Sequence, residues 1–100
     1  MEEALMLERI GCFALVLEKV PAKLAKKVAD ALTIPVIGIG AGNGVDGQVL
    51  VTHDMIGMTH EFHPRFLRRY LDLYNEMTGA FQTYSEDVKR GDFPNDKEQY

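Results

Sequence analysis

Phe13-Ala14-Leu15-Val16-Leu17 is an unbroken apolar run closed by Glu18. It reads as a buried strand that delivers one carboxylate to a sheet edge. After a turn at Val20-Pro21, apolar residues return every fourth position at Val20, Leu24, Val28 and Leu32, with Ala25 and Ala29 beside them. Lys23, Lys26, Lys27 and Asp30 take the opposite side, so residues 21–32 are predicted to form a one-sided helix lying on a sheet. Pro21 suits the first helical position, and Thr33-Ile34-Pro35 ends the helix because the residue before proline avoids helical angles. A second apolar run, Val36-Ile37-Gly38-Ile39, opens into the glycine-dense loop Gly40-Ala41-Gly42-Asn43-Gly44. Strand, helix and strand with short links make a βαβ unit, which requires parallel pairing. Chemistry in such sheets gathers outside the carboxyl ends of the strands, where Glu18 and the loop both fall.

The flanking segments are helical in pattern. Residues 2–10 read as the last turns of a helix stopped by Gly11. The stretch from Asp46 to Met58 supports two readings. Val49, Leu50 and Val51 favour a strand by propensity. Asp46 as an N-cap, with Val49, Leu50, His53 and Ile56 on one side, favours a short helix ending at Gly57. The helix is preferred, since such an extra helix is usual after the last strands of a β/α barrel. From His63-Pro64 onward, Phe66, Leu67 and Tyr70 predict a first helical piece, and Met77, Phe81, Tyr84 and Val88 a longer one. Lys89 and Arg90 suit the dipole of its last turn, and Gly91 and Pro94 stop it. Residues 95–100 read as a solvated tail. Two parallel strands cannot bury both faces or cover their own edges. Residues 1–100 are therefore expected to be a single incomplete domain, the C-terminal part of a larger α/β protein.

Composition narrows the function. An apolar share of 46% with 26% charged residues is ordinary for a globular chain. A net charge of −4 without a basic stripe argues against a nucleic-acid partner. No apolar stretch approaches the roughly 20 residues of a membrane helix, and the acidic start Met1-Glu2-Glu3-Ala4 is wrong for a signal peptide. Cys12 is the only cysteine, which excludes an internal disulfide. A cytoplasmic protein is the expectation.

Five blocks in one register carry a resemblance. Gly11 to Pro21, Ile34 to Gly42, Val45 to Val51, His53-Asp54 and Lys89 to Pro94 are similar to segments of the ketopantoate hydroxymethyltransferase family. The resemblance implies an α/β fold, a (β/α)₈ barrel of which this chain supplies the last two strands and closing helices. It also implies transfer of a hydroxymethyl group from 5,10-methylenetetrahydrofolate to the 2-oxo acid 3-methyl-2-oxobutanoate, giving 2-dehydropantoate. It further implies Mg²⁺ held by acidic residues outside this segment, with no metal ligand here, and a homo-oligomer, typically a decamer. Glu18 takes the position of the family's general base.

Each candidate also has a plain packing explanation. A carboxylate just before a helix is stabilised by about 0.3–1 kcal/mol without any function. The family position outweighs this for Glu18, and an apolar strand end can desolvate a carboxylate toward a useful basicity. Gly42 to Gly47 fits G-x-G-x-x-G with Glu61 downstream, but the match does not open a strand-to-helix turn, so a dinucleotide site is rejected. Gly40, Ala41 and Gly42 are instead expected near substrate or folate at the barrel mouth, on the same sheet face as Glu18. His53, His60 and His63 fit no standard zinc spacing, and His53 is expected to order the mouth. Tyr70, Tyr74, Phe81 and Tyr84 are expected to pack or to touch another subunit, and Cys12 to be an inert core thiol. Two other readings remain: a non-catalytic half-barrel assembly module, and a different β/α-barrel enzyme acting on 2-oxo acids.

Overall fold

The computed structural model describes residues 1–100 and contains two compact units, Met1–Val51 with His63–Arg68, and Thr52–Phe62 with Arg69–Tyr100. The first unit holds α1 (Glu2–Arg9), β1 (Leu15–Glu18), α2 (Ala22–Ala31), β2 (Val36–Ile39) and β3 (Gly47–Gln48). All three strands are parallel in the order β1-β2-β3, so the fold is α/β with a small parallel sheet. Leu15 pairs with Val36 and Glu18 with Ile39, which sets the carboxyl ends of β1 and β2 side by side.

Side chains alternate across a strand, and the core uses one face only. Leu15 and Val36 pack with Val28 of α2, Leu32 at its C-cap and Ala4 of α1, with Leu17 alongside. By alternation Val16, Glu18, Ile37 and Ile39 take the face away from α2. The run expected to be a fully buried strand is therefore one-sided here. The strand starts at Leu15, Phe13 before it is 88% exposed, and Val16 is 63% exposed. Cys12 precedes the strand and is half-buried against the core. Helix α2 runs nearly as predicted, but Pro21 sits at the N-cap with ψ 132° rather than inside the first turn.

The expected helix from Asp46 is corrected. Asp46 leads into β3, where Gly47 pairs with Ile37 and Gln48 with Gly38, and a short α3 (Thr52–Met55) follows. Parallel strands usually need a link of a dozen or more residues. Residues 40–46 suffice because β3 has only two residues and Asp46 fastens its entry. Val36 N–H donates to the Asp46 carboxylate at 2.8 Å, and Asp46 N–H donates to the Val36 carbonyl at 3.0 Å.

In the second unit, α3 and α4 (Leu73–Arg90) are joined through backbone groups. The carbonyls of Met55, Ile56 and Gly57 accept from Tyr70, Leu73 and Tyr74 N–H at 2.8–3.0 Å. Two of these donors lie in the first turn of α4, where a helix lacks internal partners. The helical piece expected around Phe66 and Tyr70 is absent, and residues 63–70 contain only turns. Tyr70, Tyr74, Phe81 and Tyr84, expected to pack or to touch another subunit, are all exposed. No residue of α4 is buried, Tyr74 stacks on His60 at 4.1 Å, and Tyr84 meets Phe93 edge-on at 5.7 Å. Gly91 ends α4 in the left-handed region as expected, at φ 73°. No helix is long and apolar enough to cross a membrane.

Candidate functional site

The carboxyl ends of β1 and β2 form the candidate site. Glu18 is the last residue of β1, is exposed, and takes part in neither of the chain's ion pairs. Lys19 directly after it is the one non-glycine residue with positive φ, at 52°. Its N–H donates to the Ile39 carbonyl at 2.9 Å, so the two strand ends stay paired one residue past the strand. Residues held in left-handed angles cost energy and cluster where a chain must be aimed. Here the turn ends β1 abruptly and leaves Glu18 at the rim. The carboxylate is open to solvent.

The glycine loop starts at the same rim and then turns away. Ala41 is 1% exposed and Val45 joins the core, while a Cβ built on Gly38 would lie 3.4 Å from Ala41 and 3.0 Å from Val45. A Cβ at Gly42 would approach Ala22 to 2.5 Å, and one at Gly44 would lie 3.1 Å from Lys26. Ala22 and Lys26 are one helical turn apart, so the loop descends along α2. Gln48 secures it by donating from Nε2 to the Gly42 carbonyl at 2.8 Å. The expectation that Glu18 and the whole loop share one sheet face is therefore corrected: they share the carboxyl end, and beyond Gly40 the loop lies on the side of α2. At Gly42 and Gly44 the missing side chains permit close packing against that helix.

Gly40 has a different neighbour. Its φ is +64°, and a Cβ there would meet the Phe66 ring at 2.8 Å. Phe66 comes from the returning segment His63–Arg68 of the same unit, so an aromatic ring closes over the residue that follows Ile39. Sequence periodicity placed Phe66 on a helix and carried no sign of this contact.

Behind the site, Glu8 of α1 braces the entry to β2. Its Oε1 accepts from Thr33 N–H at 2.6 Å, the Thr33 hydroxyl at 2.8 Å and Ile34 N–H at 3.2 Å. The Thr33 hydroxyl first, and then its N–H, hold the Glu8 carboxyl below the usual range, because they favour the charged form.

His53 belongs to the second unit, at the second position of α3, and is exposed. In that unit Arg69 donates from Nη2 to the carbonyls of Thr59, His60 and Phe62 at 2.7–3.0 Å, fixing the turn that carries His60. No three His, Cys, Asp or Glu side chains come together to hold a metal ion. The chain by itself does not fit a resident divalent cation.

A family model described as ketopantoate hydroxymethyltransferase matches residues 1–96. The chain is similar to the 3-methyl-2-oxobutanoate hydroxymethyltransferases of Christiangramia forsetii, at 74% identity over 98 residues, and of Flavobacterium johnsoniae, at 70% over 99. That of Phocaeicola vulgatus is 68% identical over 100 residues. These matches cover 98–100% of the chain but only 36–37% of each relative, so the chain spans little more than a third of their length.

Proposed function

The chain belongs to the ketopantoate hydroxymethyltransferase family, and we propose that it is the C-terminal part of a (β/α)₈ barrel that makes 2-dehydropantoate. In this proposal the complete enzyme moves a hydroxymethyl group from 5,10-methylenetetrahydrofolate onto 3-methyl-2-oxobutanoate. The observation that carries it is the free carboxylate of Glu18 at the carboxyl end of a parallel strand, on the face that α2 leaves open. In a closed barrel that face is the interior and that end is the mouth.

Glu18 takes the proton from the third carbon of the 2-oxo acid. The electron pair of that C–H bond moves into an enolate, and the third carbon then bonds to the methylene carbon of the folate, water supplying the hydroxyl and tetrahydrofolate leaving. A general base must lie within hydrogen-bond reach of the proton, and such a base contributes about 10²–10⁴-fold in rate. Mg²⁺ belongs to the proposal as a Lewis acid held by acidic residues outside this chain, and no step of the present residues runs through it. A cytoplasmic homo-oligomer, a decamer, completes the reading, with Gly40 beside Glu18 at the mouth.

The test uses a full-length protein containing this segment. Glu18→Gln keeps the size and an acceptor oxygen but removes the basic carboxylate. Deuterium exchange at the third carbon, followed by NMR without folate, should slow by about 10²–10⁴-fold. Binding of the 2-oxo acid should change far less. Exchange at the wild-type rate would assign the base to another residue.

A further inference from the structure

We propose that Phe66 is a specificity-determining wall of the site, its ring limiting the size of the alkyl group that a 2-oxo acid can present beside Glu18. The inference rests on the functional reading above and adds a residue to it.

Three observations converge. The ring fills the space over Gly40: a Cβ there would lie 2.8 Å from Cδ1, 2.9 Å from Cγ and 3.3 Å from Cβ of Phe66. Gly40 follows Ile39, the register partner of Glu18, so ring and carboxylate stand at the ends of adjacent strands. Neighbouring strands are about 4.8 Å apart, and one residue adds about 3.3 Å, which puts Gly40 about 6 Å from Glu18 along the backbone frame. In the proposed arrangement that ring is within reach of a small acid bound at Glu18. Finally, the segment bearing the ring is anchored, since Leu67 beside it is 6% exposed and its N–H donates to the Pro64 carbonyl at 3.0 Å. Phe66 itself is only half-buried, so part of the ring remains open to a ligand.

The chemistry fits an apolar wall. The carbon that loses its proton carries alkyl groups, and the open face beneath the rim presents Val16, Ile37 and Ile39. A flat ring over that rim adds a dry boundary that discriminates by size. One methylene in a hydrophobic pocket is typically worth about 10–200-fold in selectivity.

The test measures folate-independent exchange at the third carbon in full-length protein. The probes are 3-methyl-2-oxobutanoate and its larger homologue 3-methyl-2-oxopentanoate. Phe66→Ala should raise the kcat/KM ratio of the larger over the smaller acid by about tenfold or more. Phe66→Leu should shift it in the same direction by less. Equal losses on both acids, or an unchanged ratio, would overturn the inference while leaving Glu18 as base. Loss of folding in both variants, seen by circular dichroism, would also overturn it by making the ring a packing residue. A wild-type protein that exchanges neither acid would overturn the functional reading and this inference together.

Discussion

At the scale of single residues, the charges that matter to the fold are few and specific. Glu8 is tied by three donors to the turn between α2 and β2, and its pKa is lowered because those donors, the Thr33 hydroxyl first, favour the carboxylate. A group whose folded pKa lies below its unfolded value adds stability above the unfolded value, about 4.3 for glutamate. That contribution is lost as pH falls through the folded pKa. Glu8→Gln in the full-length protein should therefore lower stability near neutral pH. The gap from wild type should narrow as pH falls below about 4.3 in urea titrations. A gap independent of pH would show that the charge of Glu8 does not matter. Glu18 has no such clasp, which is consistent with the proton-accepting role proposed for it.

At the scale of elements, glycines separate positions fixed by contact from positions that are merely tolerated. Gly57 leaves α3 at φ +71°, and a Cβ there would lie 2.2 Å from the Leu71 carbonyl oxygen. Gly79 lies inside α4 with nothing within 4 Å of its absent side chain. Gly57→Ala should destabilise the full-length protein by about 2 kcal/mol or more, through left-handed strain and displacement of the Leu71 peptide. Gly79→Ala should stabilise it by about 0.5–1 kcal/mol through helix propensity. Denaturant midpoints check both, and like-signed shifts would contradict the contacts described. The same distinction explains what the sequence made legible. Apolar period and terminators located α1, β1, α2, β2 and α4, because local spacing alone decides them. The short β3 escaped, since it depends on the reciprocal Asp46–Val36 pairing rather than on its own residues. Residues 63–70 looked helical because Phe66, Leu67 and Tyr70 are suitably spaced, yet Phe66 is drawn to Gly40 and Arg69 to three carbonyls. Glu18 was legible as an acid ending an apolar run. The loop's descent along α2 was not, because it is set by a distant helix.

At the scale of the whole molecule, the two units bury little. The only large side chain fully out of water is Val36, while Ile10, Phe13, Val16, Phe81 and Tyr84 are all more than half exposed. The accessible surface is 7893 Å². The scaling for folded monomers gives about 5,700 Å² at a mass of 11.2 kDa. The excess of about 2,200 Å² is comparable to what an extensive interface removes from water. Its apolar part lies on the face of β1 opposite α2 and along α4, surfaces that the further strands and helices of the proposed barrel would cover. Conformational entropy opposes folding at every ordered residue, and so small a core offsets it poorly. The 100-residue chain expressed alone should therefore bind the dye ANS, melt broadly and self-associate as its concentration rises. If the proposed barrel is right, adding the remainder of a full-length relative as a separate polypeptide should suppress dye binding and sharpen the melt. A monomeric sample of the isolated chain that unfolds in one sharp, cooperative transition would show that its two units need no further cover.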